Sequence, residues 1–121
     1  MLVLLDTNFI VACIQNKVDL REQLERQGPS VKLNVLGRVI EEIAFLPLKE
    51  KKLAQLFLDS YKPELVPAVG VTDDQLISHA KKSGSAVATL DSGLKKRLKK
   101  EGVPIITLAR NRVVFSEDSD A

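Results

Sequence analysis

Acidic residues follow two apolar segments of the chain, at the point where each segment ends. Asp6 comes directly after "LVLL", and Asp91 ends "SAVATLD". Apolar runs of this kind are typical of strands that are buried on both faces of a parallel sheet. Ligands of open α/β sheets bind at the carboxyl ends of the strands, so the two carboxylates are candidates for chemistry at one sheet edge. The alternative is that Asp6 or Thr7 only caps the helix that begins near Phe9.

Two more carboxylates are selected by their position around a helix. The apolar helix faces are formed by Val39, Ile40, Ile43 and Leu46 around "RVIEEI", and by Leu76, Ile77 and Ala80 in "TDDQLISHA". Glu42 lies at the border of the first face, whereas Glu41 points to solvent. Asp73 is in line with the second face, whereas Asp74 is not. Glu42 and Asp73 are therefore expected to face a cleft, although Asp73 taken alone is more simply explained as a helix cap.

Four carboxylates at one sheet edge would repel one another and would be costly to remove from water. A metal ion among them would remove this cost. The ligands would all be oxygens, with no His or Cys at ligand spacing, which favours Mg²⁺ or Mn²⁺ over Zn²⁺. The one histidine, His79, falls inside a helical pattern and is expected to be a surface or packing residue.

The elements that must position these carboxylates alternate along the chain. Strand patterns are "LVLL", "VKLNVL", "SAVATLD" and, as the last clear strand, "VPIITLA", with "LVPAVG" as a short extended connection. Helix patterns lie after Asp6, in "VDLREQLERQG" up to Gly28 and Pro29, over residues 38–46, and in "PLKEKKLAQLFLDS", "TDDQLISHAKKSG" and "SGLKKRLKKEG". Strands that alternate with helices through right-handed crossovers predict an α/β protein, with helices on both sides of a parallel sheet.

Length and composition agree with one α/β domain. The chain has 121 residues, 4% of them aromatic and none of them Trp, so Leu, Val, Ile and Ala must build the core. Cys13 is the only cysteine, which excludes an internal disulfide and favours a reducing compartment. No segment is long and apolar enough for a membrane span, and the expected location is the cytoplasm. Residues 1–115 are predicted to form the domain and the acidic residues 116–121 a disordered tail.

Four motifs together resemble the PIN-domain nucleases, in the same order and over nearly the whole chain. They are "LLDTNFIV", "VIEEI", "TDD" followed by a helix, and "VATLDSGLKKRLKK". The resemblance is greatest to the branch that contains the eukaryotic nuclease of the small-subunit processome, through "DTNFI", "ATLDSGLKKRLKK" and "GVPIITLARNR". The chain is also similar to the bacterial and archaeal VapC toxins.

This resemblance implies a three-layer α/β/α sandwich with a mostly parallel central sheet, an acidic cluster that binds Mg²⁺ or Mn²⁺, and hydrolysis of RNA phosphodiester bonds. The acidic positions of the family fall on Asp6, Glu42, Asp73 and Asp91. Asn8 matches a polar residue that supports the first aspartate, and Thr89 matches a hydroxyl beside the last. Asp74 is a further supporting candidate. Many members have another Asp where this chain has Gly93, which puts a fully ligated second metal in doubt.

In the implied mechanism, Asp6 and Asp91 would hold the ion, and Asp73 and Glu42 would ligate it directly or through water. The ion would orient and acidify the attacking water and stabilise the charge that grows on the phosphoryl oxygens. Such a cleft admits single-stranded or loop RNA.

A basic helix directly after Asp91 offers a means of holding the RNA. Residues 81–112 carry nine Lys or Arg against two acidic residues, so the net charge of +2 conceals a basic region. The residues expected to bind RNA are Lys95, Lys96, Arg97, Lys99 and Lys100. They would contact phosphates rather than read bases. The alternative is that they form an ordinary solvated helix face.

Other functions fit the sequence less well or remain open. It has no glycine-rich dinucleotide motif after the first strand and no P-loop. A phosphate-accepting receiver domain would not need acidic residues on two later helices. The serious alternative is a catalytically inactive PIN fold that binds RNA or protein during ribosome assembly, and a VapC-type toxin is a further possibility. Expected protein partners are a second copy of the chain, through the apolar helices before Pro29 and after Pro47, and a ribosome-assembly or antitoxin protein.

Overall fold

The computed structural model describes residues 1–28, 30–68 and 70–116. Within them, the strands are β1 (Leu2–Leu5), β2 (Lys32–Leu36), β3 (Glu64–Val66), β4 (Ala86–Ala88), β5 (Ile105–Ala109) and β6 (Arg112–Ser116). The helices are α1 (Thr7–Gln15), α2 (Leu20–Glu25), α3 (Gly37–Ala44), α4 (Leu48–Tyr61), α5 (Thr72–Ser83) and α6 (Ser92–Lys100).

The strands form one sheet in the order β3-β2-β1-β4-β5-β6. All neighbouring strands are parallel except β5 and β6, which form an antiparallel hairpin. Strand β1 lies between β2 and β4, and its side chains Val3, Leu4 and Leu5 are fully buried. A strand with neighbours on both sides and helices on both faces has no wet face, which explains its uninterrupted apolar sequence.

Helices flank the sheet as two packed groups. Helix α1 contacts α3 and α4, whereas α5 contacts α6 and the strands β1 and β4. The predicted α/β architecture with a mostly parallel central sheet is therefore confirmed. None of the helices in this described part of the chain is both long and apolar enough to cross a membrane.

Two strands differ from the sequence prediction. Residues 64–66 form the edge strand β3 rather than a simple connection, and Pro63 and Pro67 bound it because proline cannot donate to a ladder. Strand β6 was missed, and it exists because residues 112–116 pair with β5. Ser116, assigned to the tail, therefore ends a strand, and the rest of that tail, residues 117–121, lies outside the described residues.

Helix α2 is shorter than its pattern predicts. It begins after Asp19, whose side chain accepts a hydrogen bond from the Glu22 backbone N–H at 3.1 Å. It ends at Glu25, before Gly28, and Pro29 lies outside the described residues. The Asp19 side chain thus determines the start of α2 by satisfying a free N–H group of its first turn.

Candidate active site

The two strand-end aspartates lie at the same edge of the sheet, because β1 and β4 are parallel neighbours. Asp6 caps α1 by accepting the Thr7 backbone N–H at 2.9 Å, and Asp91 caps α6 by accepting the Leu94 backbone N–H at 2.9 Å. Both aspartates therefore cap a helix and also lie at the edge of the sheet. Asp6 is only 8% exposed, whereas Asp91 is open to solvent.

Thr89 connects the two aspartates. Its hydroxyl donates to Asp6 Oδ2 at 2.7 Å and accepts the Asp91 backbone N–H at 3.1 Å, and the residue is completely buried. The sequence resemblance assigns Thr89 to the last aspartate only. It assigns the support of Asp6 to Asn8, which is exposed, whereas the hydrogen bonds to the Asp6 carboxylate come from Thr7 and Thr89.

Glu42 reaches toward Asp6 from α3. Its Oε1 accepts a hydrogen bond from the Thr7 hydroxyl at 2.8 Å, and its Oε2 accepts one from the Thr72 hydroxyl at 2.5 Å. The neighbouring Glu41 is exposed and pairs with Arg38 at 2.7 Å. The helical phase therefore distinguished the two glutamates correctly. Because Thr7 also donates its backbone N–H to Asp6, one residue connects both carboxylates.

Asp73 and Asp74 occupy the first turn of α5 and point in different directions. The residue that caps this helix is Val71, which has no polar side chain, so Asp73 does not act as the cap. Asp73 is half-buried, whereas Asp74 is exposed and forms an ion pair with Arg97 of α6 at 2.7 Å. This hydrogen bond raises the pKa of the Arg97 guanidinium. The pair binds α5 to α6 and leaves Asp73 as the inward carboxylate.

The four predicted carboxylates act on one another electrostatically. Burial raises the pKa of Asp6, the hydrogen bonds from Thr89 and Thr7 oppose the rise, and the charges of Asp73 and Glu42 add to it. Burial is the largest cause that raises the pKa of Asp73. The charges of Asp91 and Glu42 raise this pKa further, whereas the Arg97 guanidinium lowers it. Four elements therefore bring acidic side chains close enough to repel one another.

The acidic side chains at this edge offer the type of ligand atom that binds divalent cations. They are carboxylate oxygens, the ligands that Mg²⁺ and Mn²⁺ prefer, and a cation would relieve the repulsion that raises two of their pKa values. As the side chains stand, however, no three His, Cys, Asp or Glu residues in the described ranges are grouped closely enough to hold one ion together. The side chains would therefore have to move closer together when an ion binds.

Helix α6 presents the predicted RNA-binding residues beside this edge. Leu94 and Leu98 are buried and fix the helix to the sheet. The remaining residues of "LKKRLKK" are basic and point away from that buried face: Lys95, Lys96, Arg97, Lys99 and Lys100. Arg97 is oriented toward α5 by its ion pair with Asp74. Lys96, Lys99 and Lys100 are exposed, and Lys95 is half-buried.

Two threonines in the site were not selected from the sequence. Thr7 and Thr72 are both buried, and both donate their hydroxyl hydrogen to Glu42. Each directly adjoins a predicted acidic residue at the start of a helix, where Thr is usually explained as a capping residue. The only available signal was this adjacency, in "DT" and "TD".

Known proteins resemble this chain over most of its length. The family model of the PIN-like domain matches residues 3–112. Ribonuclease VapC9 of Archaeoglobus fulgidus is 32% identical over 117 residues, covering 93% of this chain and 86% of the relative. The solved structure of the PIN domain endonuclease Utp24 superposes with a TM-score of 0.85 at 27% identity, covering 99% of this chain and 94% of the other.

A more distant structural neighbour shares the fold. It is VapBC2 from Rickettsia felis, solved with a DNA fragment from its promoter, with a TM-score of 0.63, 18% identity, and coverage of 90% of this chain and 100% of the other. The family match spans both strand-end aspartates, both inward helical carboxylates and the basic helix. The chain therefore belongs to the PIN-like domain family.

Proposed function

We propose that this protein is an endoribonuclease that hydrolyses RNA phosphodiester bonds with the help of Mg²⁺ or Mn²⁺. The observation that carries the proposal is that the charges of Asp73 and Glu42 raise the pKa of Asp6, and the charges of Asp91 and Glu42 raise that of Asp73, in addition to burial, although the four residues come from separate elements. Close carboxylates lower the stability of the folded protein unless a cation binds among them. The similarity to Ribonuclease VapC9 and to the endonuclease Utp24 supports this chemistry.

In the proposed site, Asp6, Asp73 and Asp91 would hold the ion, with Glu42 as a direct or water-mediated ligand. The bound ion would supply a nucleophilic water and stabilise negative charge on the phosphoryl group. The threonines determine the orientation of these ligands: Thr89 and the Thr7 backbone hold Asp6. Hydroxyls that orient carboxylates in this way limit how far the ligands must rearrange.

The substrate we propose is single-stranded or loop RNA. A buried carboxylate such as Asp6, at an edge flanked by helices, can meet an unpaired strand more easily than a stiff duplex. The basic residues of α6 would then hold the backbone phosphates next to Asp91. Ribosomal RNA is the substrate class that we favour, from the sequence resemblance to the processome branch and the structural similarity to Utp24 along nearly the whole chain.

Two protein partners belong to the proposal. A second copy of the chain would cover the exposed side chains Phe45, Leu48 and Leu56, which lie at the end of α3 and along α4. An antitoxin or ribosome-assembly protein is the alternative partner, and a gene for a small antitoxin next to this one would identify a toxin role.

The test is single-turnover cleavage of a structured RNA with unpaired loops, with Mn²⁺ and with a chelator. We expect cleavage only with Mn²⁺, and a fall by orders of magnitude in Asp6→Asn, Glu42→Gln and Asp73→Asn. The adjacent residues provide matched controls, because Glu41→Gln and Asp74→Asn remove the same charge from the same helices without removing an inward carboxylate. RNA binding without cleavage in wild type would instead support the catalytically inactive alternative.

A further inference from the structure

A cavity of about 270 Å³ lies between the lysine-bearing side of α6 and the β5–β6 hairpin. Lys95, Lys96 and Lys99 line it from the helix, and Thr107 and Ser116 line it from the sheet. Lys99 is three residues from Lys96 and four from Lys95, so it adjoins both of them on the surface of α6. None of the described residues that border the cavity is acidic.

The sheet side of the cavity is one continuous face. In an antiparallel pair, directly opposed residues point to the same side, and Thr107 opposes Val114 while Ile105 opposes Ser116. Two hydroxyls and two apolar side chains thus form its floor. The hairpin is held in place from α2, because Gln23 donates to the Asn111 carbonyl at 2.8 Å and accepts the Val113 backbone N–H at 2.7 Å.

Thr107 has an unsatisfied hydroxyl at this floor. Its Oγ1 is buried and has no hydrogen-bond partner among the described residues. A buried hydroxyl without a partner is unfavourable, so its presence calls for an acceptor that enters the cavity. Three ammonium groups around the same space would repel one another, and an anion with several acceptor oxygens would satisfy both requirements.

We propose that this cavity binds one phosphate group of the RNA backbone. This inference rests on the proposed function, because it names how the same substrate is held. It also gives the basic residues of α6 different roles: Arg97 is paired with Asp74, whereas Lys95, Lys96 and Lys99 act together on a single phosphate.

At about 1.5 Å of rise per residue, Lys95 lies about 6 Å and Lys99 about 12 Å along the helix axis from Asp91. The bound phosphate therefore belongs to a nucleotide near the cleavage position.

The first experiment measures the binding of a labelled single-stranded RNA at several salt concentrations, with a chelator so that no RNA is cut. For Lys95→Ala/Lys96→Ala/Lys99→Ala, we expect weaker binding and a salt slope that is flatter by about 0.7, the value for the loss of one single-strand phosphate contact. The matched control is Lys49→Ala/Lys51→Ala/Lys52→Ala on α4, which removes three lysines elsewhere and should leave the slope unchanged. A slope flatter by about 2, or equal changes in both variants, would overturn the single-phosphate site.

The second experiment replaces the phosphates of this RNA one at a time by neutral methylphosphonates. Wild type should lose affinity sharply at one position, and the triple α6 variant should be insensitive to that replacement. A position dependence that is identical in the two proteins would refute the proposal. Neither measurement depends on cleavage. If RNA binds through the cavity but is never cut, the proposed function is rejected while the proposed phosphate site stands.

Substitutions of Thr107 test the phosphate site independently, because a purely structural role of this hydroxyl would not produce the results expected below. Thr107→Val keeps the shape and removes the hydroxyl, so RNA should bind about tenfold more weakly while the thermal stability of the RNA-free protein is unchanged or higher. Thr107→Ser should restore binding. Wild-type affinity in the folded valine variant would show that the hydroxyl does not contact the phosphate.

Discussion

Thr89 donates its hydroxyl hydrogen to Asp6 Oδ2 at 2.7 Å across the β1–β4 pairing, and both residues are buried. The same hydroxyl accepts the Asp91 backbone N–H at 3.1 Å. One side chain therefore sets the spacing of the two strand ends that carry the proposed metal ligands. Its hydrogen bond also lowers the pKa of Asp6, against the larger effect of burial, and so favours the charged form that binds a cation.

Replacing Thr89 by Val should damage both stability and activity. The change leaves the buried Asp6 carboxylate without this donor, at an expected cost of about 1–3 kcal/mol in the free energy of unfolding. Cleavage should fall by roughly 10–100-fold, as is usual when a residue that orients a metal ligand is lost. Chemical denaturation and single-turnover cleavage measure the two effects. Thr89→Ser keeps the hydroxyl and should behave nearly as wild type, and equal losses in both variants would mean that packing of the methyl group matters instead.

Divalent cations should stabilise the folded protein. An ion that binds only the native state raises the free energy of unfolding by about 2.7 kcal/mol at about 100 times its dissociation constant. Thermal unfolding with and without Mn²⁺ should therefore show a higher midpoint with the ion. The shift should vanish in Asp73→Asn and persist in Asp74→Asn, since Asp74 is already paired with Arg97. The same shift in both variants would argue against Asp73 as a ligand.

Gly93 is the position at which an additional carboxylate should strengthen metal binding. A Cβ atom there would lie 3.3 Å from Asp91 Oδ1, so a side chain at this position starts directly beside a proposed ligand. We expect Gly93→Asp to bind Mn²⁺ more tightly than wild type in calorimetric titrations. Gly93→Ala introduces the same Cβ without the charge and should not increase affinity. Tighter binding in the alanine variant would assign the gain to helix rigidity.

Cys13 should be unreactive in the native protein. It is buried in α1, and burial raises its thiol pKa to about 12. At pH 8 only about one thiol in ten thousand would be ionised, and only the thiolate attacks disulfide reagents. An aromatic disulfide reagent should therefore modify Cys13 slowly in buffer and rapidly in concentrated urea. Fast modification of the folded protein would show that α1 opens readily.

Self-association should depend on the exposed face of α4. Phe45 is 89% exposed and Leu56 is 54% exposed, although large apolar side chains are normally covered. Light scattering at micromolar concentration should give a dimer for wild type and a monomer for Leu56→Glu. Lys62→Glu, at the end of the same helix, makes an acidic change outside the apolar face and should remain dimeric. A monomeric wild type would reject the dimer.

The sequence alone determined the features that depend on neighbouring residues. A strand that ends in an acid, as in "LVLLD", and a helix that distinguishes Glu42 from Glu41 are local patterns, because side-chain direction repeats every two residues in a strand and every 3.6 in a helix. The choice of the four carboxylates, the mostly parallel sheet and the family resemblance follow from such patterns.

Only the tertiary structure decided which distant residues meet. Strand β6 exists through its pairing with β5, and Thr7 and Thr72 bind Glu42 across 35 and 30 positions of the chain. The same holds for Arg97, whose ion pair with Asp74 separates it from the neighbouring lysines. Hydrogen bonds and ion pairs between separate elements depend on strand order and helix packing, and these follow from the burial of the whole core rather than from any short pattern.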